Sequence, residues 1–307
     1  MTVTAHLKPR FLASCPSFRL YPLVVFHRDL TSFNPSIAEH DGAIYFSVRH
    51  SNMLQTGNER YGFVFALKDR ARDIVNETSF GIVRLPAGNG SLECDLFADR
   101  LFEFEDVRIF RHVGRWLGLG SLPERELTSG FPLVKSVRMH LLFFDANFRL
   151  QEASPMPSPA GAEREKNWMP FPKRNELYLV YRPDPLTILS LDLERKQMLP
   201  VLGGGAPSEW SGSSQIVSYG SGSYLGVIHR RFVLHGEAIY EHAFIRIAED
   251  FSAEISQPFH FLTFGIEFCA GLVARENEIL ISFGSHNDSR SYLASLARDE
   301  VDSFFGP

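Results

Sequence analysis

Glu105-Asp106-Val107-Arg108 sets two carboxylates beside a guanidinium, and Glu267 stands alone between Ile266 and Phe268. Adjacent strand residues point to opposite faces, so one of Glu105 and Asp106 can face a shared centre while the other braces a neighbour. Cleavage of a glycosidic bond requires an acid that protonates the leaving oxygen and a base or nucleophile about 5–9.5 Å away. Asp106 is the candidate acid. Glu267, with its apolar flanks, is the candidate partner carboxylate for acid or base work. The competing reading makes Glu105 and Asp106 part of a strand-end salt network with Arg108 and Arg111, and Glu267 a buried acceptor of backbone hydrogen bonds.

Other polar phrases supply groups that read sugar hydroxyls or cover sugar faces. Lys166-Asn167-Trp168 joins a cation, a two-way amide and a flat aromatic, with Trp168 as readily a core residue as a platform. Ser213-Ser214-Gln215 follows Trp210, and Asn34 opens the first apolar run. Tyr240 and His242 are two apart and share a strand face; with His229 they could form an anion or hydroxyl site. Asp288, in the His286-Asn287-Asp288 loop, is either a ligand for a sugar hydroxyl or a capped turn. Arg49 and Arg108 complete the substrate-binding set. No compact spacing marks a metal centre, and no cofactor is expected. Gly203-Gly204-Gly205 lacks the following Lys-Ser/Thr of a nucleotide loop, and no Gly-x-Ser-x-Gly elbow is present.

What must position these residues is a recurring phrase. Five times, at steps of about 50 to 70 residues, a polar cluster or turn leads into an apolar strand-like run, a spacing that fits blades of a radial fold. The runs begin near Phe33, Phe104, Glu165, Gly212 and Gly265. Asp41-Gly42 between two apolar runs signals a hairpin. Tyr61 to Leu67 reads as a third strand of the first unit and Thr78 to Leu85 as its fourth or an excursion. Arg138 to Asp145 reads as an inner strand and the Pro-rich stretch from Pro155 as a loop between units. Helical periodicity is nearly absent, apart from a short helix expected at Arg298 to Phe305. The expected fold is all-β, a five-bladed β-propeller in one domain over 1–307, with 1–32 an irregular lead-in.

The bulk properties agree with a folded globular protein and give no nucleic-acid footprint. The chain has 307 residues, 44% of them hydrophobic and 27 of them Phe, with a formal charge of −5. Nucleic-acid binding needs clustered Lys and Arg, which this balance does not provide. Cys15, Cys94 and Cys269 fit neither a disulfide framework nor a metal spacing, which suits a reduced compartment. No run reaches 18 apolar residues and no apolar region follows Lys8 and Arg10, so no transmembrane segment is expected and a cytoplasmic location is the default.

Several of these phrases resemble those of the five-bladed propeller enzymes that act on β-mannosides: mannoside phosphorylases, β-1,2-mannosidases and related mannosyltransferases. Glu105-Asp106-Val107-Arg108 resembles their second-blade Glu-Asp-Pro/Val-Arg phrase and Asn34-Pro35-Ser36 their first-blade phrase. Ser282-Phe283-Gly284-Ser285-His286-Asn287-Asp288 resembles a last-blade phrase that ends in Asp. Lys166-Asn167-Trp168-Met169-Pro170-Phe171, Leu225-Gly226-Val227-Ile228-His229 and Ile266-Glu267-Phe268-Cys269-Ala270-Gly271-Leu272 are similar to a divergent branch whose propellers occur alone or beside glycosyltransferase domains. The resemblance covers roughly residues 30–297. It implies an inverting enzyme on a β-mannoside or similar sugar, with Asp106 as general acid. It also implies inorganic phosphate as a co-substrate if the phosphorylase pattern holds, with Arg49, Lys166, His229, Tyr240 and His242 as candidate phosphate holders. An oligosaccharide or sugar conjugate is the implied substrate, and a homo-oligomer or a glycosyltransferase partner stays open. A non-catalytic sugar-binding propeller, or an accessory in polysaccharide synthesis, is the alternative.

Overall fold

The computed structural model describes residues 10–25, 30–59, 62–67, 75–86, 92–128, 131–286 and 289–306. Asp288 therefore lies outside the described residues, and so does Tyr61 at the start of the third predicted strand. The described chain is all-β in a propeller arrangement, with one short helix, Arg298–Asp302. Four sheets have four strands each. The first joins Thr31–His40, Ala43–Ser51, Asn76–Arg84 and Glu93–Phe102, and the second Glu105–His112, Arg115–Thr128, Phe131–Phe144 and Leu150–Pro155. The third joins Met169–Lys173, Glu176–Pro183, Leu186–Asp192 and Gln197–Leu202. The last joins Glu267–Ala274, Glu278–Ser285, Arg290–Ala297 and the N-terminal strand Arg19–Pro22.

Local chemistry explains the meander. Asp41 and Gly42 both take positive φ, 49° and 74°, which is the twist a two-residue hairpin loop needs between Thr31–His40 and Ala43–Ser51. Gly114 does the same at φ 75° before Arg115. Apolar runs rich in β-branched residues, such as Ile279-Leu280-Ile281, are fully buried between sheets, where such side chains pack best.

Three expectations are corrected here. The regular four-stranded blade occurs four times, not five. The stretch expected to form the fourth blade is a seven-stranded sheet around the hairpin Ser223–Leu234 and Glu237–Ala248, with short edge strands including Arg10–Phe11. Its inner strand is broken between Ser211–Gly212 and Val217–Ser218 because the Ile216 N–H donates to Pro170 O of the third sheet instead (2.9 Å). The lead-in is not irregular throughout: Arg19–Pro22 pairs antiparallel with Arg290–Ala297, so the chain's start completes its last sheet. Gly62–Leu67 pairs only with Met53–Glu59 in a side hairpin, while Asn76–Arg84 takes the third place in the first sheet.

Each sheet packs on the next, and the last packs on the first. One apolar cluster fills each junction; Ile37, Phe46 and Val48 meet Val273, Leu280 and Leu293 where the last sheet meets the first. Phe80 and Phe148 stack at the first–second junction, with ring centroids 5.2 Å apart. Inner strands are also stitched by small polar groups. The Ser47 hydroxyl donates to Val107 O and the Ser282 hydroxyl to Pro35 O, both at 2.6 Å. The Gln215 amide donates to Ile37 O at 2.6 Å and Leu272 O at 2.8 Å, tying three sheets at the centre.

This close approach depends on glycine. A Cβ on Gly271 would lie 2.3 Å from the Ile37 nitrogen and 2.4 Å from the Ser282 Oγ. Backbone cannot yield as a side chain does, so Gly271→Ala is expected to lower stability by about 3 kcal/mol, the upper part of the usual overpacking range. A urea unfolding midpoint unchanged from wild type would contradict that close packing.

Candidate functional site

Three successive sheets start their inner strands with the same irregularity. Asn34, Asp106 and Asn167 take φ of 45°, 51° and 63°. Asn and Asp are the non-glycine residues that enter this region most readily, which accounts for the residue types. In the first two sheets the irregularity is a bulge: Asn34-Pro35 and Asp106-Val107 are each extra against one partner residue. Bulges re-aim side chains near functional sites, and here the side chains converge. The Asn34 Nδ2 donates to Asp106 Oδ1 at 2.8 Å, and Asn167 Oδ1 accepts from an Arg108 guanidinium nitrogen at 3.3 Å. Gly284 leaves room for Asn34, since a Cβ there would come 2.7 Å from Asn34 Oδ1.

Around Asp106 four cations meet two carboxylates. Arg49 donates to Glu105 Oε1 at 2.8 Å and to Asn76 Oδ1 at 2.7 Å, and its other terminal nitrogen lies 3.5 Å from Asp106 Oδ1. Arg125 also bonds Glu105 Oε1, and Lys166 Nζ lies 3.5 Å from Glu105 Oε2. The Lys166 side chain is 48% exposed at the rim, against 11% for Arg49 and 18% for Asp106, so only Lys166 reaches freely into solvent. Arg108 is buried and spends its guanidinium on the carbonyls of Ser213 and Asp106 and on Asn167. It fixes the inner strands of three sheets to one another and keeps its charge, although burial pulls it down to about 10 against the pull of Asp106.

The electrostatics decide the charge state of the acid. Burial pushes the Asp106 carboxyl upward, but Arg49, the Asn34 hydrogen bond, Arg108 and Lys166 outweigh burial and leave it below the ordinary carboxylate value. Glu105 is likewise pushed up by burial and brought below its ordinary value by Arg49, Lys166 and Arg125, against Asp106. Both are carboxylates at neutral pH. Two histidines beside them are neutral. Burial, with help from Arg108, takes His229 down to about 3. Burial, with help from Arg49, takes His286 down to about 4. His229 stacks on Tyr240 with centroids 5.0 Å apart and meets Phe268 edge-on at 5.1 Å, while His286 stacks on Phe33 at 5.2 Å. Tyr240 stays a phenol, raised chiefly by burial.

A pH dependence follows. In the unfolded chain both histidines bind a proton below about pH 6.5, whereas in the fold they stay neutral to about 4 and about 3. Stability is therefore full above pH 6.5 and falls as pH drops, by about 2 kcal/mol per histidine at pH 5. The depressed carboxylates add their own loss below about pH 4. Chemical denaturation at pH 7.5 and pH 5 measures this; equal midpoints would contradict neutral, buried rings at these positions.

The structure brings together Asn34, Arg49, Asp106, Arg108, Lys166, Asn167, His229 and Tyr240 from the predicted set. It takes five other predictions elsewhere. Glu267 is fully buried, and its carboxylate accepts the N–H groups of Phe261, Leu262 and Thr263 at 2.9–3.2 Å, so it clasps a turn instead of facing Asp106's cluster. Trp168 is fully buried in the core between the second and third sheets, and its indole donates to Glu165 at 3.1 Å. A sugar cannot stack on it. The Ser213 hydroxyl donates to Cys269 O, and Ser214 Oγ accepts the Val227 N–H at 2.9 Å and donates to Gln215 O. Both serines stitch backbone. His242 is fully buried between His229, Phe259 and Phe261 and takes no part in the exposed cluster.

Four contributors were not assigned from the sequence as site residues: Glu105 as the hub of the cations, Asn76, Arg125 and His286. Glu105 had its signal in the strand alternation that turns it away from Asp106. Arg125 had none: it lies on the part of Arg115–Thr128 that runs past its pairing with Glu105–His112 and pairs only with Phe131–Phe144 among the described residues. No group of three or more His, Cys, Asp or Glu among the described residues could hold a metal ion. No helix among them is long and apolar enough to cross a membrane.

No family model matches the chain, and no curated protein matches it by sequence. Solved structures do match in fold. A mannose phosphorylase from Leishmania mexicana, in complex with phosphate ion, is 13% identical with a TM-score of 0.61, over 92% of this chain and 89% of its own. A β-1,2-mannobiose phosphorylase from Listeria innocua, bound to β-1,2-mannobiose, is 11% identical with a TM-score of 0.55, over 97% and 95%. A GDP-Man-dependent mannosyltransferase from Leishmania mexicana is 12% identical with a TM-score of 0.61, over 91% and 89%. At these identities the likeness establishes a shared propeller fold.

Proposed function

We propose that this chain makes or breaks a glycosidic bond to mannose or a similar sugar, in an inverting reaction whose other partner is an anion such as inorganic phosphate. The observation that carries this reading is the excess of cations around two ionised carboxylates. Arg49, Arg108, Arg125 and Lys166 surround Glu105 and Asp106, with Lys166 exposed at the rim. Such a centre favours a dianion over water as the attacking group. Asp106 is the proton donor to the leaving oxygen, Asn34 and Arg49 hold its carboxyl, and Lys166 and Arg49 hold the anion. Asn167, Tyr240 and His229 present a hydroxyl-reading wall beside Asp106. We read the seven-stranded sheet as the fourth of five blades in a single domain, because an apolar cluster joins it to each neighbour and closes the ring.

A second reading, a propeller that binds sugar without turning it over, is favoured by one observation. Glu105 and Glu267 are both fully engaged, so neither serves as a free second carboxylate beside Asp106. Incubation with β-1,2-mannobiose, with and without phosphate, separates the readings. Formation of a hexose 1-phosphate only when phosphate is present supports the first. Binding without turnover supports the second, and phosphate-independent hydrolysis overturns both.

A further inference from the structure

Resting on that reading, we propose that an anion seated against Arg49 and Lys166 loads a proton from solvent onto Asp106, so that the acceptor anion itself arms the acid. The geometry poses the problem: the residue placed to donate a proton does not hold one. Asp106 Oδ1 takes both the Asn34 amide at 2.8 Å and the Arg49 guanidinium at 3.5 Å. These are bonds that favour a carboxylate and oppose a carboxylic acid.

The same Arg49 that holds Asp106 ionised is the inner of the two cations offered to the anion. A dianion at Arg49 and Lys166 cancels their field and adds negative charge within a few ångströms of Asp106. Both effects favour the neutral acid, and at separations of about 4 Å near a protein surface each unit charge is worth roughly three pKa units. The step balances simply. A buffer acid gives up one proton, an O–H bond forms on the Asp106 carboxylate, and no electrons change hands.

The charged and titratable groups around Asp106 among the described residues are these. From its own strand come Glu105 and Arg108. Arg49 comes from Ala43–Ser51, Arg125 from Arg115–Thr128, and Lys166 from the loop before Met169–Lys173. Glu103 faces Arg125, and Arg231 faces Tyr240. Tyr240 stays protonated throughout and contributes no proton. His229 and His286 are both neutral and both feel Asp106. His286 also feels Arg49, so it competes for the incoming proton. The anion acts more strongly on Asp106, whose carboxyl Arg49 contacts directly, than on His286, which lies stacked against Phe33.

Sulfate is the probe, because it is a dianion throughout the pH range used and brings no titration of its own. Calorimetric titration at pH 6, in buffers of differing ionisation enthalpy, counts the protons taken up per sulfate bound. The expected result is more than about half a proton in the wild type. That uptake should be lost in Asp106→Asn and retained in His286→Gln. A carboxylic-acid carbonyl band should appear in the infrared difference spectrum of the wild type on adding sulfate, which needs no variant to fold. Uptake that survives Asp106→Asn, or that vanishes in His286→Gln, assigns the proton to the histidine and overturns the proposal. Sulfate binding with no proton uptake overturns it while leaving the anion site standing. Absence of any sulfate binding removes the anion-site reading and this proposal with it.

Discussion

Under the proposed reaction, Asp106→Asn is expected to lower the sugar-transfer rate by about 10²- to 10⁴-fold and to leave the propeller folded. The rate loss is what removal of a positioned general acid costs. The fold survives because Asn is among the few residues that take the positive φ of 51° found here. The new side-chain oxygen can still accept from Asn34, and Arg49 keeps Glu105 and Asn76. Asp106→Ala would confuse the two effects by adding backbone strain at the same position. Glu267→Gln gives the opposite pattern. Its carboxylate serves three backbone N–H groups of one turn, so the substitution costs roughly 1–3 kcal/mol of stability and leaves the rate of the folded protein near wild type. Steady-state assay beside urea denaturation checks both variants. A catalytic loss in Glu267→Gln comparable to that in Asp106→Asn would restore the two-carboxylate scheme.

Glu105→Gln has the largest expected effect on stability. Glu105 is the shared counter-charge of Arg49, Arg125 and Lys166, with a side chain only 8% exposed. Removing one member of a buried ion cluster leaves the others uncompensated, which costs about 3–5 kcal/mol. The loss falls on Arg49 and Arg125 more than on Lys166, whose amine is already solvated. Asp106 is then the carboxylate left in contact with Arg49, so Arg49 is expected to swing toward it and hold it ionised more firmly. The expected outcome is a lower urea midpoint together with a lost rate even in fully folded protein. A stable, active Glu105→Gln would mean that the cations are satisfied elsewhere.

Much of the fold was legible because its signals are local. Asp41-Gly42 fixed one hairpin, and the apolar run from Arg138 lies in the strand Phe131–Phe144. What was not legible depended on distant partners. Arg19–Pro22 is unremarkable until Arg290–Ala297 supplies its ladder, and Ser211–Gly212 ends early because Ile216 bonds Pro170 in another sheet. The site divided the same way. Asp106 and Lys166 lay in phrases whose residue types carried the signal. Glu267, Trp168 and Ser213 lay in equally suggestive phrases, but burial and backbone partners claimed them. A polar residue at a blade's inner edge can serve a ligand or stitch two strands, and only the neighbouring sheet decides which. Three positions proposed to face the ligand share an Asn or Asp at a positive-φ irregularity: Asn34, Asp106 and Asn167.

The most direct measurement is a crystal structure of the chain soaked with phosphate and a mannose disaccharide. The account predicts the anion within hydrogen-bonding distance of Arg49 and Lys166, and the glycosidic oxygen within reach of the Asp106 carboxyl. It is contradicted if the ligands pass over this centre and settle elsewhere, as in the cavity of about 890 Å³ lined by Glu124, Lys135, Arg138, Ser158 and Glu163.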